Sequence, residues 1–381
     1  MKFREGKDQD FHRLLRTKVA AYFEANGLNR FGGRTMIVKG IVYPLITAAL
    51  YALILGNRLS GVPLLITVFL FGISGILTAF NLAHDAAHNS LTPSRRLNAA
   101  VYFLTFNLQG ANGYLWKLRH VGSHHVFPNV EGGDADMDDN GLLRMSEGTP
   151  WRPRYRYQHL YAPLLYMLFS LHWILFYDFR FLGKKELANL RNIRHSWKEV
   201  ACLILAKATY FTLMIVVPML VLNVSWPMVI LGFVLMHLVV SLVFVYSLVG
   251  THLCEETAFP AQDGSGVVGG SWASHQLATS LDYCPTSRLA NILLGGFNCH
   301  AAHHLFPEVS HVHYVAISKI IKETTAELGL RYNELSYPAM IRSHFRFLKR
   351  MGTEPKPLAV ESVDNTPRGS YARGAVMQRS G

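Results

Sequence analysis

Eight of the 18 histidines in this chain fall into three short patterns. They read HDAAH (His84 and His88), HVGSHH (His120, His124 and His125) and HAAHH (His300, His303 and His304). On a helix, positions i, i+3 and i+4 share a face, so each pattern points its imidazoles in one direction. Neutral imidazoles gathered this way have one plain joint use, the ligation of metal. Eight exceed what one ion takes, and two ions at roughly four or five nitrogens each is the natural count. Zinc is content with four ligands in one place, and calcium and magnesium want oxygen. Copper fits these ligands as well. Iron is the metal for which an imidazole-rich pair of sites, left open to dioxygen, makes chemical sense. Soluble di-iron bundles use Glu and Glu-x-x-His pairs, and the chain offers one such pair, Glu308 and His311. The isolated histidines His12, His159, His172, His195, His237 and His344 read as hydrogen-bonded structural residues.

The elements that must position these boxes lie in a membrane. Of 381 residues, 50% are hydrophobic and 16% charged. Four stretches, 35–56, 62–82, 201–224 and 226–249, can each cross a hydrocarbon core of about 30 Å, which takes ~20 helical residues. Lys39 and Lys207 stand near the starts of the first and third, where a lysine can snorkel. The first 34 residues are charged and read as a cytoplasmic lead without a cleavable signal peptide. They carry Lys2, Arg4, Lys7, Arg13, Arg16, Lys18, Arg30 and Arg34, whereas the link after the first span has Arg58 alone and the link after the third has no cation. The positive-inside rule then places both termini and the long polar segments in the cytoplasm. The net charge of +12 is spread along these flanks, which excludes nucleic acid as its explanation. Four cysteines without CxxC spacing fit a reduced compartment, and Cys299, beside the third box, reads as a small buried residue.

Parity fixes the remaining apolar stretch. Two spans already separate the second box from the third, so residues 158–182 must lie in the interface or re-enter, with Arg180 at headgroup level. The expected fold is an all-α integral membrane protein: four transmembrane helices and a cytoplasmic helical cap that holds the histidines. The expected domain runs over 35–350, and 351–381, rich in Pro, Gly and Ser, reads as a disordered tail. Residues 136–147, DMDDNGLLRMSE, match a calcium-loop pattern in full. No helix leads in and no paired loop exists, so they read as a solvated loop.

The chain resembles the membrane fatty acid desaturases, on the three boxes and on RHVGSHHVFPNVEGGDADM, HLCEETAFP, SWASHQLATSLDY and HHLFPEVSHVHY. The likeness is to the acyl-lipid and linoleoyl-CoA desaturase-like branch and covers about residues 35–345. It implies two iron ions, dioxygen as co-substrate, and a long acyl chain on coenzyme A, a carrier protein or a lipid. It implies a ninth ligand just after the fourth span, which His252 fits, and a place near the site for His275. His311 and His313 would support rather than ligate. Asp85, Asp282 and Glu308 are candidates for orienting the ligating imidazoles. Trp116, Leu118, Trp272 and Phe297 are candidates for capping an apolar tunnel between the spans. The branch's front-end enzymes often carry glutamine at the first place of the third box and a fused cytochrome b5 domain. Here that place is His300, and no His-Pro-Gly-Gly stretch occurs, so front-end regioselectivity is not implied. With no haem or flavin motif in view, electrons would come from another protein, a ferredoxin or a cytochrome b5-type carrier. The same oxidant could instead hydroxylate, acetylenate or ketolate. A metal transporter would hold its ligands at mid-membrane, whereas these boxes flank the spans.

Overall fold

The structure, a computed structural model, describes residues 1–4, 9–137 and 141–355. Four helices are long and apolar enough to cross a membrane: α2 (Gly33–Leu55), α3 (Gly61–Ala87), α8 (Trp197–Val221) and α9 (Trp226–His252). The amphipathic helix α1 (Gln9–Ala25) precedes them. Two of them, α3 and α9, run on past their apolar stretches to deliver histidines. The helix α3 ends in the first box, and α9 ends on His252. The two short links sit together at the opposite end, where the Asn57 side chain donates to the Val221 carbonyl and accepts from the Asn223 amide.

Between α3 and α8 lie α4 (Arg95–Leu108), α5 (Gly113–Arg119) and a helix pair, α6 (Pro153–Met167) and α7 (Phe169–Leu182), bent by 64°. A bend of this size suits either a broken span or a segment that enters an apolar layer and returns. Polar side chains hold the pair in place. Ser170 bonds to Ser241 and to the His237 ring on α9, and His237 bonds in turn to the Tyr210 hydroxyl on α8. Asp178 accepts from Trp173, from the Asn112 amide and, at 2.7 Å, from Lys207 on α8.

Neither lysine near a span start snorkels. Lys207 is buried on Asp178, and Lys39 is buried on Asn81, at 2.6 Å, and the Ile292 carbonyl. In a low-dielectric layer a fixed partner outweighs a reach for water. Replacing Asp178 by alanine strands the Lys207 cation and is expected to cost about 3–5 kcal/mol. A thermal unfolding midpoint in detergent that matches the wild type would show the pair to be dispensable. Adding Lys207→Met should recover part of the loss.

At the box end sit α10 (Trp272–Thr279), α11 (Arg288–Leu294), α12 (His300–Leu305), α13 (Tyr314–Glu327) and α14 (Tyr337–Gly352). Phe11, Leu15 and Val19 of α1 bury against Ile317 and Ile321 of α13. Phe347, Leu348 and Met351 of α14 bury against Ala162 and Tyr166 of α6. Order therefore continues past residue 350: Arg144 donates to the Met351 carbonyl and Trp151 to that of Gly352. The rest of the expected tail, 356–381, lies outside the described residues. Lys2–Phe3 pairs in parallel with Val267–Val268, and Asp282–Tyr283 with Glu334–Leu335.

Candidate metal centre

Three segments bring the boxes together. The last turn of α3 carries His84 and His88, just after a π-helical turn at Ala79–Ala83. The second box is itself a π-helical turn, His120–His124, in which the His125 amide bonds back five residues to the His120 carbonyl. The third forms α12, reached through Gly295 in a left-handed conformation (φ 61°). A Cβ there would collide with the Phe80 carbonyl, so this close approach of chain to chain requires glycine.

One ring nitrogen from each of His84, His88, His120 and His303 lies within 4.8 Å of the others, and the same holds for His124, His252, His300 and His304. His125 joins them, its ring 4.4 Å from that of His303 and 4.5 Å from that of His304. Several nitrogens face each other directly: His252 Nε2 is 2.7 Å from His300 Nε2 and 2.9 Å from His304 Nε2. Others are buried with no hydrogen-bond partner, among them both nitrogens of His84 and of His303. A buried polar atom left unpaired costs about 1–3 kcal/mol. A cluster of such atoms, aimed at common points, is what a cation held by lone pairs requires. Burial pushes the pKa of His88, His120, His125, His300, His303 and His304 down, which keeps those lone pairs free of protons. The donor set fits two metal ions.

The surrounding bonds fix the rings. Asp134 stands 3.1 Å from His124 Nδ1 and also accepts from the amides of Asn129 and Asp136. Burial alone would push the His124 pKa down; the Asp134 carboxylate reverses this and raises it. Gln276 Oε1 accepts from His304 Nδ1 at 2.8 Å, and the Thr279 carbonyl accepts from His252 Nδ1 at 2.8 Å.

A sequence profile described as fatty acid desaturase matches residues 60–336. This chain belongs to the fatty acid desaturase family. The sn-1 linoleoyl-lipid 6-desaturase of Synechocystis is 29% identical over 344 residues, 90% of this chain and 95% of its own. The acyl-lipid (8-3)-desaturase of Physcomitrium patens is 28% identical over 92% of this chain and 74% of its own. The acyl-lipid (8-3)-desaturase B of Dictyostelium discoideum is 30% identical over 75% of this chain and 63% of its own. The chain is an oxidoreductase of the desaturase type, and its membrane helices and histidine clusters fit that family.

The desaturase has a cavity of about 740 Å³ that starts at His84, His120, His124, His252 and His300 and runs between α3, α7, α8 and α9. Its far walls include Gly72, Tyr210, Met236 and His237. His237 stands fifteen residues before His252 on α9, about 22 Å at 1.5 Å per residue. Trp116 stacks on His120 with centroids 4.2 Å apart, and the Phe297 ring lies 4.6 Å from that of His84. Both line the cavity.

Other expected roles change place. Trp272 packs with α1, its ring 5.4 Å from that of His12, and Leu118 packs among Leu115, Phe181 and Leu187, so neither lines the cavity. Asp85 serves His311 and Ser310 rather than a box imidazole, and His311 passes the contact to Lys39 at 2.6 Å. Asp282 caps the start of α12 through the Ala301 amide, and also accepts from Ser318 and Tyr332. Glu308 is exposed and orients no ring, because its loop turns the side chain outward. His275 bonds to the Pro128 carbonyl through Nε2 and packs on Phe3, near the centre without facing it. In the calcium-like loop, Asp136 pairs with Arg119 and Glu147 with Arg350, so both carboxylates are occupied; Asp138 and Asn140 lie outside the described residues. Sequence reasoning missed Asp134 and Gln276 as ring-orienting groups. The signal for Asp134 was its place in NVEGGD, directly after the second box.

Proposed function

We propose that this desaturase introduces a double bond into a long acyl chain carried on a lipid, with two iron ions and dioxygen. The convergence of unpartnered imidazole nitrogens carries the reading. His84, His88, His120 and His303 would hold one ion, His124, His252, His300 and His304 the other, and His125 would stand between them. Reduced iron with dioxygen supplies an oxidant strong enough for an unactivated methylene C–H bond, beyond the reach of acid–base chemistry. The protein's part is positional. Phe80, Trp116 and Phe297 present apolar walls beside the centre, so one stretch of chain rests against it and water is kept out. Asp134, Gln276 and the Thr279 carbonyl lock three rings, which fixes where the ions can sit. Choice of carbon then depends on placement to about an ångström. The lipid carrier follows the names of the relatives, which act on linoleoyl-lipid and acyl-lipid.

The test is mass spectrometry of lipids and thioesters from cells with and without the protein, with metal analysis of the purified chain. New double bonds in intact lipids and about two irons per chain are expected. Products confined to acyl thioesters would move the carrier to coenzyme A or a carrier protein. A hydroxylated product would assign the oxidant to hydroxylation.

The proposed topology puts both termini and all three boxes in the cytoplasm, with a helix pair α6–α7 that does not cross. In a cysteine-free background, single cysteines at the exposed positions Ser60 and Ser225 should label from outside intact cells. Cysteines at Glu147, Lys185 and Lys319, also exposed, should not. Opposite labelling at Glu147 and Lys185 would make α6–α7 a span and overturn the parity.

A further inference from the structure

We infer that electrons enter this centre at its His88 edge, where a basic patch docks a small acidic one-electron carrier protein. The inference rests on the di-iron reading above. Converting a CH₂–CH₂ unit to an alkene while dioxygen becomes two waters takes two electrons and two protons from outside, so a one-electron carrier must deliver twice per turnover.

The structure favours one face for this. Eight of the nine clustered histidines are buried; His88 alone keeps part of its surface exposed, with its Nε2 turned inward and buried. Its ring lies 4.7 Å from that of His125 and 5.1 Å from that of His303, so it touches the heart of the first group. The flanking sequence is one-sided in charge. From residue 86 to residue 130 there is no aspartate or glutamate, while Arg95, Arg96, Lys117 and Arg119 all fall there. Arg119 is taken up by Asp136 and by the rings of Trp173 and Tyr177. The other three have no ion-pair partner among the described residues. Lys117 is half-buried and rests over the Tyr102 ring. Arg95 and Arg96 are exposed in the first turn of α4, which packs on the end of α3.

Folding gives no reason for that arrangement. A helix N-terminus carries partial positive charge, and cations there are unfavourable by about 0.3–1 kcal/mol each. Two adjacent exposed arginines at that end, unpaired and on the helix that packs on the end of α3, suit an acidic partner instead. Complementary charge of this kind mainly raises the rate of encounter and makes it salt-dependent.

The experiment uses the iron-loaded full chain in nanodiscs of neutral lipid, with two probes: a plant-type [2Fe–2S] ferredoxin and the soluble haem domain of cytochrome b5. Three quantities are measured for the wild type, for Arg95→Glu/Arg96→Glu and for Lys117→Glu. They are equilibrium binding of the oxidised carrier, kcat/KM for the reduced carrier, and product per chain in one turnover after anaerobic reduction with dithionite and admission of oxygen. For at least one carrier, binding and kcat/KM should fall about tenfold or more in the reversed-charge variants and lose most of their salt dependence. The dithionite turnover should not change. Arg95→Gln/Arg96→Gln serves if charge reversal impairs folding, with the same direction and a smaller loss. Unaltered carrier binding overturns the proposal. So does a matching fall in the dithionite turnover, and so does a wild type that binds neither carrier more tightly at low salt. A loss confined to binding of vesicles with anionic lipid would assign the arginines to headgroups and also overturn it. A loaded wild type that makes no product after dithionite reduction would count against the desaturase reading alone, since carrier binding still judges the patch.

Discussion

Replacing His303 by alanine should abolish turnover, a fall of at least about a hundredfold, while the protein still folds and purifies from membranes. His303 is where the two groups meet. Its ring lies 4.4 Å from that of His84, 4.4 Å from that of His125 and 5.2 Å from that of His304, and both its nitrogens are buried without a partner. Alanine removes a donor that no neighbour replaces, so metal content should fall below that of the wild type. Wild-type activity with full metal content would remove His303 from the ligand set.

Asp134→Asn comes next in size. The carboxylate holds His124 and two backbone amides at once. An amide of the same shape keeps the packing but weakens every one of these bonds, and it no longer fixes which nitrogen of His124 carries the proton. Loss of such a supporting group typically costs about 10–100-fold in metal affinity or activity. Activity should drop by that factor, and metal should leave faster to a chelator. A variant whose chelation rate and kcat both equal the wild type's would mean that Asp134 merely caps the loop that follows the second box.

The boxes and spans were legible because both are local patterns. A repeat of i, i+3 and i+4 declares a helix face within five residues, and about twenty apolar residues declare a span. What supports the boxes was not local. Gln276 reaches His304 across 28 residues, and Asp85 meets His311 across more than 200. Nothing in either neighbourhood encodes the partner. Glu308 was misread for the same reason: sequence proximity to the third box says nothing of which way a loop turns its side chain. Trp272 shows the complementary error, since an aromatic residue near a site packs wherever apolar surface is offered, here on α1. Lys39 and Lys207 were read by the rule for isolated lysines in lipid, whereas each has a partner on another element.

The π-helical turns at Ala79–Ala83 and His120–His124 carry a consequence for how this protein tolerates change. Each holds one more residue per turn than the surrounding helix, and each residue of an α-helix turns the chain by about 100°. With hydrogen bonds closing over five residues in place of four, the wide turn takes up that extra residue, so its five residues turn the chain about as far as four α-helical ones would. Were Ala79–Ala83 to tighten into ordinary α-helix with no residue removed, His84 and His88 would swing by about a quarter of a revolution, away from His120 and His303, without any histidine being touched. The azimuth of the first box is thus written in how the chain winds ahead of it as well as in the histidines themselves. Changes that leave the wide turn in place are the kind the centre absorbs, and changes that let it tighten are the kind it cannot.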